Sequence, residues 1–223
     1  FIFRTDRGGF ISHLGMSGYW RVLEASEQES DADILKLHDH IIIDFDVSGV
    51  RKTTIYNDPR RFGIFESIDL SRINESPRFK NLAPEPFAPE FDADYLYRGL
   101  RAKKMAIKPA IMDQGLVVGV GNIYASEVLF SVGIKPQRRC QKLSLKDCDK
   151  LVTQIRRTLK VAIEKGGSSI SNFLKTDGDS GSYQQNHKVY GREGQPCANG
   201  CGHLIRSQII SGRSTFWCPH CQK

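Results

Sequence analysis

Four cysteines near the end of the chain constrain its fold more than any other sequence feature. They are spaced as Cys197-x3-Cys201 and Cys218-x2-Cys221, with 16 residues between the two pairs. Two close pairs separated by a hairpin-length insert predict a tetrahedral four-thiolate zinc site of the ribbon type. Four protein ligands leave no open position for water, so the single Zn²⁺ ion is expected to be structural.

The insert between the cysteine pairs supports a metal-bound ribbon. Residues 204–210 and 214–217 have strand composition, and Ser211-Gly212 between them is a turn signal. The alternative, a pair of disulfides, requires an oxidising compartment that nothing else in the sequence indicates. His203 and His220 could replace a thiolate, but we expect them to be knuckle or surface residues.

Charge is distributed unevenly along the 223 residues. Residues 1–100 contain 12 Lys and Arg against 17 Asp and Glu, whereas residues 101–223 contain 20 against 8. A net charge of +12 on the second half favours a polyanionic partner, above all nucleic acid. No apolar run approaches the roughly 18 residues of a membrane span, so we expect an intracellular protein with no membrane partner.

The segments predict an α+β fold. Residues 1–80 have the composition of antiparallel strands in a β-sandwich, and 81–92 contain three prolines and are predicted to be a linker. Residues 93–190 are predicted to be helical, and 191–223 form the zinc ribbon. A capping box at Ser144–Asp147 begins a helix that Gly166-Gly167 ends.

A second helix is predicted over Ile123–Val132, directly after glycines at 119 and 121. Its first backbone N–H groups are left without partners, which makes this helix start a candidate phosphate site. The basic residues around it are Lys103, Lys104, Lys108, Lys135, Arg138, Arg139 and Lys142.

The Asp58–Gly63 segment, with sequence DPRRFG, is a candidate for insertion into a base stack. A cation can contact a phosphate or a base edge while the neighbouring ring acts as a wedge. The alternative is that Phe62 folds back into the core and leaves two solvated arginines. The sequence by itself leaves both open.

Taken together, the segments resemble the formamidopyrimidine-DNA glycosylase family of bacterial enzymes for oxidised purines. The resemblance runs along the whole sequence, through HLGMSG, KLHDH, NDPRRFG, LAPEP, IKPAIMD, LVVGVGNIYASE, FLKTDG, VYGREGQPC and GRSTFWCPHC. It implies a β-sandwich joined to a domain with a helix–two-turns–helix and a zinc ribbon, with DNA in the cleft between them. It also implies a monomer acting on duplex DNA with an oxidised base or an abasic site, in the bacterial cytoplasm at the nucleoid.

The resemblance assigns roles to individual positions. Met16, Arg60 and Phe62 match the residues that fill the gap left by a flipped base. The positions matched to contacts with the DNA backbone or the opposite strand are His38, Arg60, Lys104, Lys108 and Asn122. Arg213 matches a catalytic arginine at the tip of the zinc hairpin, and the loop around Thr176–Tyr183 matches the segment that closes over the flipped base.

One implied feature is not among these residues. The family uses an N-terminal proline nucleophile, followed by a catalytic glutamate, and a lysine ahead of the HLGMSG strand, whereas this sequence begins at Phe1. A secondary amine is needed to attack the sugar and form the Schiff base for β,δ-elimination. We therefore expect that the N-terminal segment is missing and that the 223 residues are inactive alone.

Three alternatives remain at this stage. An endonuclease VIII-type enzyme for oxidised pyrimidines shares the helix–two-turns–helix and the zinc ribbon. A non-catalytic DNA-binding fragment and a zinc-ribbon protein that binds other proteins are the other two. The Arg60–Phe62 tip and the long Thr176–Asn186 loop favour the purine enzyme.

Overall fold

The computed structural model describes residues 1–6, 8–23, 35–168 and 182–223. The chain forms two compact units, one of Phe1–Ser76 with Lys165–Gln184 and one of Pro77–Glu164 with Gln185–Lys223. Among the described helices, none is long and apolar enough to cross a membrane.

The first unit contains two antiparallel sheets. One sheet has the strand order β1 (Ile2–Thr5), β2 (Gly8–His13) and β6 (Ile64–Ile68). The other has the order β3 (Tyr19–Leu23), β5 (Val50–Asn57) and β4 (Asp39–Val47). A 3₁₀ turn at Leu70–Glu75 follows β6.

Aromatic side chains from both sheets pack together. Phe3 stacks on Phe10 at 4.4 Å between ring centroids, and Phe10 contacts Phe65 at 4.7 Å. Trp20 of the other sheet lies 5.4 Å from Phe3 and 5.1 Å from Tyr56. The sheets are thus joined by a shared aromatic layer, and the predicted antiparallel sandwich is confirmed.

Four α-helices lie in the described part of the second unit. They are α1 (Ala93–Arg101), α2 (Ile107–Ile111), α3 (Asn122–Ser131) and α4 (Leu145–Glu164). Short 3₁₀ turns occur at Cys140–Lys142 and Tyr183–Asn186. The helices bury a common core that includes Leu96, Ile111, Leu129, Leu151 and Ile155.

The predicted capping box at the start of α4 is present. Asp147 N–H donates to Ser144 Oγ at 3.2 Å, and Ser144 N–H donates back to Asp147 Oδ2 at 3.0 Å. After α4, Gly166 and Gly167 have φ values of 70° and 84°, a conformation that favours glycine at a helix end.

The segment predicted to be a linker is fixed to α4. The Arg156 guanidinium donates to the backbone carbonyls of Pro86, Ala88 and Phe91 at 2.8–3.0 Å. Phe91 is fully buried. Charge-assisted hydrogen bonds to three carbonyls hold this proline-rich chain in one path.

The zinc-ribbon hairpin consists of β7 (Arg206–Ile210) and β8 (Arg213–Trp217), close to the predicted strands. Ser211 and Gly212 form its turn with φ values of 50° and 74°. The ribbon packs on Phe130 of α3 through Val189 and Ile205. This packing fixes the hairpin tip relative to the N-terminal end of α3.

Candidate nucleic-acid interface and metal centre

The four cysteines of the ribbon converge on one point. Cys197 Sγ and Cys221 Sγ lie 3.8 Å apart, and Cys201 Sγ and Cys218 Sγ lie 3.5 Å apart. All four sulfurs lie within 4.8 Å of one another. A tetrahedral Zn²⁺ with Zn–S bonds of about 2.3 Å separates its sulfurs by about 3.8 Å. The residues therefore fit one structural zinc ion.

The backbone of the second knuckle favours a thiolate at Cys218. Burial raises the pKa of this thiol, but hydrogen bonds from the backbone N–H groups of Cys221 and His220, together with those from the Cys201 and Cys197 side chains, outweigh burial and lower the pKa to about 7. All six cysteines are free of disulfides, and Cys140 and Cys148 are buried apart from the cluster. The disulfide alternative is thus not adopted.

A buried lysine connects α2, α3 and the ribbon. The Lys108 ammonium donates to Asn122 Oδ1 at 2.6 Å, to the Ser214 carbonyl at 2.9 Å and to Thr215 Oγ1 at 2.8 Å. Lys108 is only 1% exposed. Burial, followed by the nearby positive charge of Arg213, lowers the pKa of Lys108 to about 8. Three acceptors satisfy all the protons of this ammonium and leave none free for a phosphate. The direct contact of Lys108 with DNA that the resemblance implies stays a prediction.

Asn122 is held from its other side as well. Its Nδ2 donates to the Tyr190 hydroxyl at 3.3 Å. The backbone around Tyr190 is fixed by Glu127 of α3, whose buried carboxylate accepts N–H groups from Lys188, Val189 and Tyr190 at 2.9–3.0 Å. Asn122 is thus placed by contacts on both of its amide atoms.

The N-terminal end of α3 is open, as the sequence predicted. Gly121 is its N-cap, with no side-chain hydrogen bond to the first turn and no acidic residue there. The first backbone N–H groups and the partial positive charge of the helix start are therefore available to an anion.

Arg213 lies at the start of β8 and is exposed. It borders a pocket of about 210 Å³ lined by Lys108, Pro109, Met112, Ile210, Ser211 and Arg213. Lys104 is also exposed, and its carbonyl accepts a hydrogen bond from Arg139 at 2.8 Å. The structure thus brings Lys108, Asn122 and Arg213 into one neighbourhood of the second unit.

In the first unit, a buried aspartate holds the Arg60–Phe62 loop. Asp58 is 1% exposed and accepts the Gly63 N–H at 2.8 Å, the Ser17 hydroxyl at 3.0 Å and the Arg60 N–H at 3.3 Å. Burial raises the pKa of its carboxyl, but these hydrogen bonds outweigh burial and lower it below its ordinary value. The loop is therefore organised around an ionised carboxylate.

The loop presents its ring to solvent. Phe62 is 56% exposed, and the Arg60 guanidinium lies over its ring at 4.9 Å. The alternative of a Phe62 folded into the core is thus not adopted. Met16, on the neighbouring loop, is 64% exposed. A Cβ on Gly15 would lie 2.7 Å from the Phe62 backbone, so only glycine allows the two loops to approach this closely.

His38 lies exposed in a turn with φ of 74°. Its carbonyl accepts the Asp58 N–H at 3.0 Å. Next to it, Asp39 forms a two-point ion pair with Arg21 at 2.7 and 2.5 Å. Burial raises the pKa of Asp39, but the hydrogen bonds from Arg21 and Asn57 outweigh it and lower the pKa to about 2. This network fixes the strained turn that carries His38.

Sequence reasoning missed the residues that position the candidate site residues within each unit. They are Arg21, Asp39, Asp58, Glu127 and Tyr190. Asp58 lies inside a recognised motif, but its burial depends on contacts with distant Ser17. The predicted closing loop around Thr176–Tyr183 lies, up to residue 181, outside the described residues.

The fold and the two sites define a class of protein with a β-sandwich and a basic helical domain that ends in a four-cysteine zinc ribbon. Three family models match the chain. They are the formamidopyrimidine-DNA glycosylase N-terminal domain over residues 1–65, its H2TH domain over 82–174, and a zinc finger found in FPG and IleRS over 194–223. The predicted zinc ribbon is thereby confirmed.

Individual proteins agree with these models. A formamidopyrimidine-DNA glycosylase of Bdellovibrio bacteriovorus is 45% identical over 98% of this chain and 76% of its own. Two structures of the Lactococcus lactis Fpg, one with abasic-site DNA and one with Fapy-dG DNA, superpose with TM-scores of 0.83 and 0.82. Both are 33% identical; the matches cover 96% of this chain and 75% of theirs. The chain belongs to the formamidopyrimidine-DNA glycosylase family.

Proposed function

We propose that this chain binds duplex DNA that contains an oxidised purine or an abasic site and belongs to a base-excision glycosylase and AP lyase. The observation that carries the proposal is the exposed Phe62 ring with Arg60 above it, held on the buried Asp58 carboxylate beside Met16. A base inside the duplex hides its glycosidic bond, so the enzyme must flip it out.

The wedge residues have defined tasks in this proposal. Phe62 and Met16 occupy the gap that the flipped base leaves in the stack, and Arg60 contacts the unpaired opposite base. Filling the gap offsets part of the unstacking cost of a few kcal/mol. His38, in its fixed turn, contacts the backbone nearby.

The second unit is proposed to hold the phosphates. The proposed phosphate donors are the backbone N–H groups at the start of α3, the Asn122 amide, the Lys104 ammonium and the Arg213 guanidinium. Arg213 neutralises the phosphate next to the lesion and so assists strand cleavage. Lys108 holds Asn122 and the β8 backbone at a fixed distance from each other, because its ammonium donates hydrogen bonds to both.

The test is a binding assay with a duplex that contains a tetrahydrofuran abasic-site analogue. The chain should bind it more tightly than the undamaged duplex, and Phe62→Ala should remove most of that preference. Equal affinity for both duplexes would contradict the proposal. A second assay measures base excision by a protein that carries this chain and a proline nucleophile. Faster excision of 8-oxoguanine than of thymine glycol would identify the enzyme for oxidised purines, and the reverse would identify the enzyme for oxidised pyrimidines.

We also propose that the protein acts as a monomer at the bacterial nucleoid. Light scattering of the DNA-bound chain should give one protein per duplex. Fluorescence microscopy of a tagged protein should follow the distribution of chromosomal DNA.

A further inference from the structure

Two histidines stack on the outer side of the zinc ribbon. The rings of His203 and His220 lie 4.7 Å apart with 17° between their planes, and both residues are exposed. The ligand atoms of Cys201, His203 and His220 all lie within 4.8 Å of one another. The zinc ribbon thus has, beside its four cysteines, a second group of metal-binding side chains that shares one thiol with them.

A hydrogen bond at Nδ1 leaves the Nε2 atom of His203 available to a metal ion. Its Nδ1 lies 3.0 Å from the carbonyl oxygen of Cys201. An Nδ1–H that donates to a backbone carbonyl leaves Nε2 with a lone pair, and metal-bound histidines are usually held in this way. The backbone here is fixed too, because the Cys197 N–H donates to the His203 carbonyl at 2.9 Å.

The two side chains must move to close on an ion. Their rings are nearly parallel, so the in-plane nitrogen lone pairs do not meet at one point in the stacked arrangement. Nitrogen and sulfur ligands of a tetrahedral Zn²⁺ lie about 3.3–3.8 Å apart, and both exposed imidazoles rotate out of the stack to reach that separation. Two imidazoles and one thiolate are a donor set that suits Zn²⁺.

The four cysteines fall into two exposure classes. Cys197 and Cys218 are buried, whereas Cys201 and Cys221 are partly exposed, and of these two Cys201 adjoins the histidine pair. We propose that Cys201, His203 and His220 form a second, surface Zn²⁺ site through which the ion enters and leaves the four-cysteine centre. On the surface site the ion carries one water molecule as its fourth ligand. In the transfer it remains on the Cys201 sulfur, while the thiols of Cys197, Cys218 and Cys221 replace the two imidazoles and the water and release three protons to solvent.

The first experiment measures binding at equilibrium on the zinc-loaded full chain. Co²⁺ added to it should bind as a second equivalent, with the Cys201 sulfur bridging the two ions, and give the visible absorption of a tetrahedral site. His203→Asn and His220→Asn should each abolish this absorption while the protein retains one zinc ion. His13→Asn, which removes an exposed histidine of the first unit, is the control and should bind Co²⁺ like the wild type.

The second experiment measures exchange of bound zinc against isotopically enriched Zn²⁺ by native mass spectrometry. The double variant His203→Asn/His220→Asn should exchange about tenfold more slowly than wild type, because the incoming ion loses two of its three protein ligands; mutation of an outer-shell partner alone already changes metal affinity by about tenfold or more. An exchange rate equal to wild type, or a Co²⁺ equivalent that persists in both single variants, would overturn the proposal. Retention of one zinc ion in each variant shows that the ribbon is still folded.

Discussion

The Lys108 ammonium and the Asn122 side-chain oxygen are joined by a hydrogen bond of 2.6 Å, and the same ammonium reaches the backbone of β8. One buried cation therefore couples the start of α3 to the zinc hairpin that carries Arg213. This arrangement differs from a surface lysine that contacts phosphate directly.

Lys108→Met should destabilise the second unit by about 2–3 kcal/mol, because it leaves the buried Thr215 hydroxyl and the partly buried Asn122 side-chain oxygen without their donor. Lys104→Met is the matched control, since Lys104 is exposed and its removal should leave the free energy of unfolding unchanged within about 0.5 kcal/mol. Urea denaturation measures both. Equal stabilities of the two variants would show that Lys108 has no structural role.

Phe62→Ala should lower affinity for abasic-site DNA without lowering stability, because the ring is more than half exposed. Asp58→Ala should lower both, since it removes the acceptor for Gly63 and Arg60 N–H groups at a cost of about 2–3 kcal/mol. Affinity is measured by fluorescence anisotropy and stability by thermal melting. A Phe62→Ala protein with wild-type affinity would exclude the wedge.

Acid should weaken the His38 turn over a defined range of pH. Asp39 has a pKa of about 2 in the folded protein and 3.8 ordinarily. The unfolded chain therefore binds the proton more tightly. The Asp39 carboxylate contributes about 2 kcal/mol to the free energy of unfolding above pH 4, and this contribution is lost as the pH falls from about 4 to 2. The free energy of unfolding is measured against pH for the wild type and for Asp39→Asn. The difference between the two proteins should shrink over this pH range, and a difference that does not change with pH would contradict the prediction.

Glu127→Gln should release the segment around Tyr190. An amide accepts fewer backbone N–H groups than a carboxylate, so we expect a loss of about 1–3 kcal/mol. Hydrogen exchange should accelerate at residues 188–190 and remain unchanged in the β-sandwich. Unchanged protection at these three amides would show that the carboxylate does not hold them.

Chelation of zinc should unfold the ribbon selectively. Residues 197–221 depend on the metal, whereas the core of the four helices has its own buried side chains. Amide exchange with and without chelator should therefore differ in the ribbon and remain unchanged in the helical core. A ribbon that keeps its protection without zinc would contradict a structural metal.

The sequence was sufficient to predict those parts of the fold that local chemistry determines. The cysteine spacing, the Ser144–Asp147 capping box and the turn at Ser211-Gly212 each depend on residues near one another in the chain. The sequence predicted that the first unit is an antiparallel β-sandwich, but not which strands are neighbours in each sheet. Pairs such as β2 with β6 join segments that are far apart in the chain.

Most of the site residues named from the sequence have exposed side chains, but Lys108 is buried, and the sequence did not indicate this. Phe62, Arg60 and Arg213 belong to local motifs, whereas their supports come from elsewhere in the chain. Asp58 depends on Ser17, and Lys108 depends on Thr215, more than a hundred residues away. Burial of a charged side chain is decided by such contacts, which no spacing in a single sequence reveals.

Asp58 holds the Arg60–Phe62 loop largely through the backbone N–H groups of Arg60 and Gly63. The exposed side chains of the loop can therefore be changed without removing these hydrogen bonds. Positions 16, 60 and 62 can therefore be randomised together on an intact scaffold to select variants that accept other lesions. Gly15 and Gly63 must stay constant in such a library, since a methyl group at either would meet atoms less than 3 Å away.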